Sequence, residues 1–168
     1  MAIIYPPSAA ETKYYPSYRL LDGQFGLAFG SLQDLLGSQL PAFGAGSVWE
    51  AEGVQFIERD LTSVDYHVIT AQGVRLRLQP GPDGQIPITA LGALPTPVAD
   101  LGTASAFNIR ETLAQAIEIA RELGGVAYIP AGDWQLSGAT LRTTAGDVRI
   151  RCSDAATIHT LPAEFSTR

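Results

Sequence analysis

A mainly β chain is what the sequence predicts: an extended amino-terminal arm, a small antiparallel β-hairpin module, then one amphipathic α-helix leading into short strands. Three observations carry that expectation. Seventeen glycines and eleven prolines punctuate 168 residues, which suits short strands and tight turns better than a helical bundle. Residues 46–59 and 66–78 read as hairpins, because apolar runs flank glycine-containing turns. Only residues 108–123 sustain a helical apolar stripe.

Taken in order, residues 1–18 are rich in Pro, Tyr, Ser and Ala and show neither helical nor strand periodicity. Ile3, Ile4, Tyr5, Tyr14, Tyr15 and Tyr18 are too apolar for a solvated tail, so this arm is expected to lie against a partner or its own domain. Residues 31–36 suit a short helix with Ser31 as its cap, ended by Leu40 and Pro41. The first hairpin turns at Ala51, Glu52 and Gly53, the second at Ala71, Gln72 and Gly73. In the return strand Val74, Leu76 and Leu78 alternate with Arg75 and Arg77, so the aliphatic side chains face in. The run PGPDG at 80–84 marks a turn or linker, and 86–91 suits a short strand.

For the helix, Asn108 is placed to cap and Glu111 stands at capping-box spacing. Ile109, Leu113, Ala116, Ile117, Ala120 and Leu123 form the stripe, and Gly124 with Gly125 supplies the stop. Five short strands are expected afterwards, over 126–130, 134–136, 139–142, 147–152 and 156–159, with a turn at 131–133. Val148, Ile150 and Cys152 share one face there, which makes Cys152 a small buried hydrophobe.

Composition excludes several function classes. Hydrophobic residues are 46 % and charged residues 17 %, too apolar for a disordered chain. The net charge of −6 argues against nucleic acid as the main ligand and against a polybasic membrane contact. No apolar run approaches the roughly 20 residues that span a bilayer, so no membrane insertion is expected. Two prolines and no base in the first ten residues argue against a signal peptide. One cysteine cannot build a disulfide framework within a chain.

Chemistry is sparse. No G-x-S-x-G, H-E-x-x-H, C-x-x-C or P-loop occurs, and no catalytic, cofactor-binding or metal-ligating set is expected. His67 and His159 stand alone and read as surface or edge-strand residues. Asp133, Asp147 and Asp154 border turns, where aspartate bonds the backbone, rather than forming a glycosidase pair. Trp49 and Trp134 are weighed as sugar-stacking platforms, and Trp134 is read as packed. Arg149 and Arg151 read as a solvated strand face.

Residues from about 86 to 159 resemble the opening of a pectate-lyase-like right-handed β-helix of the bacteriophage tailspike kind. The run ITALGA at 88–93 resembles the family's entry strand, written v.dFGA. Asp100 and Thr103 stand where the family has a D-G-x-x-D-[DN]-T element, here degenerate. Residues 109–123 match its capping helix, and GGVAYIPAGDWQL at 124–136 matches GG-x-V-x-(V/I)-P-x-G-x-Y-x-(L/I), with Trp134 in the aromatic place. The runs at 42–56 and 67–76 are similar to the small β modules that precede such β-helices.

The resemblance implies three parts: a virion-anchoring arm over 1–40, a small β module over 41–85, and over 86–168 a capping helix (108–123) with the first coils of a parallel β-helix. Ile109, Leu113, Ile117, Ala120 and Leu123 would then form the cap over the open end of the first coil. Coils of roughly 20–25 residues leave about two after Val126, fewer than the three that usually suffice. Either the chain is the amino-terminal part of a longer spike, or a neighbouring copy covers the end. The implied function is structural: the anchor and neck of a phage tailspike or tail fibre, a homotrimer located in the virion. Ile3, Ile4, Tyr5, Tyr14, Tyr15 and Tyr18 would contact tail or baseplate proteins, and a missing carboxy-terminal part would contact host surface polysaccharide. The alternative is the front of a polysaccharide lyase or glycoside hydrolase acting on that glycan. A free-standing bacterial adhesion or carbohydrate-binding module is a third reading, disfavoured by the missing signal.

Overall fold

A computed structural model describes residues 17–21, 24–81, 83–103, 106–138 and 147–161, and for 17–25 the backbone only. The described chain is mainly β, with two α-helices, one mixed sheet and two parallel ones, and no closed barrel among the described residues. Two compact units divide it, the first ending at Gln79 and the second beginning at Pro80.

The first unit is a six-stranded sheet. Its strands are β1 (Ser17–Leu21), β2 (Gln24–Phe29), β3 (Val48–Ala51), β4 (Val54–Arg59), β5 (Val68–Ile69) and β6 (Arg75–Leu78), in the spatial order β1-β2-β3-β4-β6-β5. Both expected hairpins form: β3 with β4 and β5 with β6, each antiparallel. The first turn is tight because Glu52 and Gly53 both adopt positive φ, 50° and 77°.

The antiparallel strands expected over 41–85 form, and the sheet extends beyond them to β2, which runs parallel to β3. Helix α1 (Leu32–Leu36) makes the crossover, burying Leu32 and Leu35 while Ser31 Oγ caps the Asp34 N–H. Of the arm expected over 1–40, residues 24–29 form β2, which supplies the buried Leu27 and Phe29 to the same core.

That core is one row across four strands. Leu27, Trp49, Phe56 and Leu78 stand opposite one another in register, and none is more than 1 % exposed. The Phe29 ring stacks on Trp49 at 5.5 Å and Phe43 meets its edge at 6.1 Å. Burying four such side chains stabilises the unit by roughly 1.5–3 kcal/mol each.

A carboxylate is buried beside this row. Glu58 follows Phe56 on the inward face of β4 and is 1 % exposed. Its oxygens accept the Trp49 indole N–H at 2.9 Å and the Phe43 and Gly44 amides at 3.1 and 2.7 Å. Three donors offset the desolvation of the charge and pin residues 43–44 over the core. On the other side of the hairpin, Asp65 bridges Arg59 (2.9 Å) and Arg77 (2.6 Å), and Arg75 donates to the Ser63 carbonyl and lies over the Tyr66 ring. The outward arginines of β4 and β6 therefore hold the 60–67 loop.

The second unit starts with β7 (Gln85–Pro87) and two 3-10 turns, Ile88–Leu91 and Val98–Asp100. Helix α2 (Arg110–Leu123) follows, then β8 (Val126–Ile129), β9 (Gly132–Ser137), β10 (Ile150–Cys152) and β11 (Ala156–Leu161). β7, β8 and β10 form one parallel sheet in the order β10-β8-β7, and β9 with β11 forms another. The expected strand over 139–142 lies outside the described residues.

Helix α2 buries Leu113, Ala116, Ile117, Ile119 and Ala120 and packs against β7, β8 and the Ile88–Leu91 turn. Its exit needs two glycines for different reasons. Gly124 adopts φ 69°, and the Gly125 amide returns to the Ala120 carbonyl at 2.7 Å. A Cβ on Gly125 would stand 2.2 Å from the Gly84 carbonyl oxygen, whose bond to the Val126 amide starts the β7–β8 ladder. The cap differs from expectation. Asn108 does not bond to the third helical residue. Its Oδ1 accepts the Arg110 amide at 3.2 Å, because its carboxamide is held by β9.

Three substitutions test these supports, each read by denaturant unfolding at the tryptophan of its own unit, Trp49 or Trp134. Gly125→Ala should cost about 2–3 kcal/mol and Gly124→Ala about 1. Glu58→Gln, which turns an amide toward three donors, should cost about 2 kcal/mol.

Candidate functional site

The two parallel sheets of the second unit stack in register. Ala127 pairs with Ile150 and Gly132 with Ala156, offsets of 23 and 24 residues. Ile86, Ala127 and Ile150 form one column, and Trp134 lies under Ile158. The bend from β8 to β9 is fixed by the Trp134 indole N–H donating to the Pro130 carbonyl at 2.8 Å. The same bend recurs one rung up, where the Ser153 amide donates to Ile129 O and the Gly132 amide to Ala155 O.

Burial falls along each column. Ile86, Ala127, Ile129 and Trp134 are at most 1 % exposed, whereas Ile150 is 43 % and Ile158 37 % exposed. Val148 and Cys152 are exposed as well. The expectation of a buried Cys152 is therefore wrong. It does share the Ile129 column, but no described rung lies beyond β10 to cover it. This face of exposed apolar side chains, beside strand edges that no described strand pairs, is the strongest candidate assembly surface of the second unit.

Four of the five expected cap residues are buried: Ile109, Leu113, Ile117 and Ala120. Leu123 is half-exposed at the helix end. Of the expected arm contacts, Ile3, Ile4, Tyr5, Tyr14 and Tyr15 lie outside the described residues. Tyr18 stands in β1 opposite Leu27.

The expected turn at 131–133 is shorter than anticipated, because β9 begins at Gly132 and takes in Asp133. The Asp133 Oδ1 lies 2.8 Å from His159 Nε2, so His159 crosslinks β11 to β9 on the face opposite Trp134 and Ile158. His67 Nδ1 accepts the Leu78 amide at 3.1 Å, which fixes the loop entering β5. Trp49 and Trp134 are both enclosed and offer no stacking surface. Arg149 and Arg151 are exposed, and Arg151 stands 3.8 Å from Asp83. Asp147 and Arg149 join Arg121, Ile117 and Gly125 around a shallow cleft at the end of α2. Among the described residues no group of three or more His, Cys, Asp or Glu is arranged to hold a metal.

Sequence reasoning missed several residues. Gln135 is buried, its Oε1 accepting the Gly102 amide at 2.7 Å. Leu61 and Val64, on the arginine-held loop of the first unit, are exposed, Val64 at 92 %. Proximity across strands decides these roles, and no local spacing signals it. No protein-family model matches the chain, and no curated protein matches it.

The burial gradient sets a test. Ile129→Ala should cost about 2–4 kcal/mol, and Ile150→Ala, one column over and one rung higher, less than about 1. Equal costs would mean that the upper rung is covered.

Proposed function

We propose that this chain is the virion anchor and neck of a phage tailspike or tail fibre. Its second unit is the helix-capped opening of a right-handed parallel β-helix, and the described residues carry no catalysis. The observation that carries the reading is the stacking of parallel rungs at offsets of 23 and 24 residues above a first rung packed by α2. A parallel strand pair needs a long connection, and regular short offsets of this size are one coil of a solenoid. The uncovered columns at β10 and β11 support a neck on which further coils or neighbouring copies stack. The chain is a homotrimer in the phage tail. Its amino-terminal part grips tail or baseplate proteins, and the spike it carries binds host surface polysaccharide.

The experiment is sedimentation equilibrium of the 168-residue chain, paired with binding to purified tail and baseplate proteins of a phage that encodes it. A trimer that binds one of them is expected. A monomer at all concentrations that binds none overturns the proposal. The same preparation, incubated with host polysaccharide, should release no reducing or unsaturated ends. Release would transfer the assignment to the lyase or hydrolase reading.

A further inference from the structure

We infer that Asn108 completes the cover of one edge of β9, which Thr96 and Ile109 otherwise hold, so that a strand can add to this parallel sheet only on the β11 side. The inference concerns β9 and the segments that cover it, and does not depend on the viral reading.

In a parallel ladder alternate residues turn their amide and carbonyl groups to opposite edges. On one edge β9 meets β11, with the Gly132 amide donating to Ala155 O. On the other edge no full strand stands among the described residues. Its groups are taken one at a time. The Thr96 amide donates to Asp133 O at 2.8 Å, and the Ile109 amide to Gln135 O at 2.9 Å. The last pair, at Ser137, is met by a side chain. Asn108 Oδ1 accepts the Ser137 amide at 3.2 Å, and Asn108 Nδ2 donates to the Ser137 carbonyl at 3.1 Å. A carboxamide carries the same acceptor and donor as a peptide group, so it occupies the edge as one residue of a strand would. Asn108 also makes a parallel bridge to Gln135 through its own backbone. The same Oδ1 accepts the Arg110 amide, so one side chain ends the strand edge and starts the helix.

These bonds are exposed to solvent, and water can replace them when Asn108 is removed. Their loss therefore acts less on folding than on association: it opens the Ser137 end of the edge, and an open strand end is a template for another chain.

Two variants separate the roles. Asn108→Asp keeps the acceptor toward Arg110 and Ser137 and loses only the donor to the Ser137 carbonyl. Asn108→Ala loses all three. Amide exchange at Ser137 should quicken about tenfold in N108A and stay at the wild-type rate in N108D. Both variants should show a weight-average mass that rises with concentration beyond the wild-type state. Adding Ser137→Pro, which removes the amide from the blocked edge, should return N108A to the wild-type mass. Folded N108A and N108D with the wild-type mass would overturn the inference and leave Asn108 a helix cap. So would free exchange of the Ser137 amide in the wild-type protein, a measurement that needs no variant.

Discussion

Every parallel strand must satisfy two edges of backbone groups that its neighbours in sequence cannot reach. That constraint organises the second unit. β7 and β8 pair because α2 spans the gap between them, and α2 is held because that pair, with the Ile88–Leu91 turn, gives its apolar stripe a floor. The Gly124-Gly125 exit joins the two conditions. One glycine turns the chain and the next lets two backbones approach closely enough to bond. Neither helix nor ladder has a reason to persist alone, since a 14-residue helix is marginal in water and a parallel pair has no local closure.

The first unit solves a different problem by different means. Its sheet is joined by antiparallel neighbours and one short crossover, so most of its backbone is met locally. What needs organising is the end of its aromatic core. Glu58 does this as a buried acceptor for an indole and two amides. A buried carboxylate is unfavourable unless all its partners are present, so it specifies where residues 43–44 lie more than it adds stability.

Where the sequence was legible, the signal was local. The helical stripe from Ile109 to Ala120, the alternation of Val74, Leu76 and Leu78, the turn at Glu52 and Gly53, and the Ser31 cap all depend on residues a few positions apart. β1 and β2 were not legible. In the run over 24–29 Phe25, Leu27 and Phe29 do alternate, but the glycine and alanine between them disfavour a strand, which forms because β3 lies beside it. Cys152 was misread for the same kind of reason. Alternation tells which face a side chain is on, whereas burial depends on whether another rung covers that face. The Asn108 clamp, the Gln135–Gly102 bond and the Asp133–His159 crosslink join residues 26 to 33 positions apart, beyond the reach of any spacing rule.

The corners of the second unit carry one more consequence. Two residues link β8 to β9, and three link β10 to β11, which is why one ladder is offset by 23 residues and the other by 24. Corner length is thus free to drift while the rungs stay aligned. Such a protein can lengthen or shorten by single residues at its bends without disturbing its stacked interior. Its architecture can outlast any fixed periodicity in its gene, and kinship between such chains would survive in shape after it has faded from the letters.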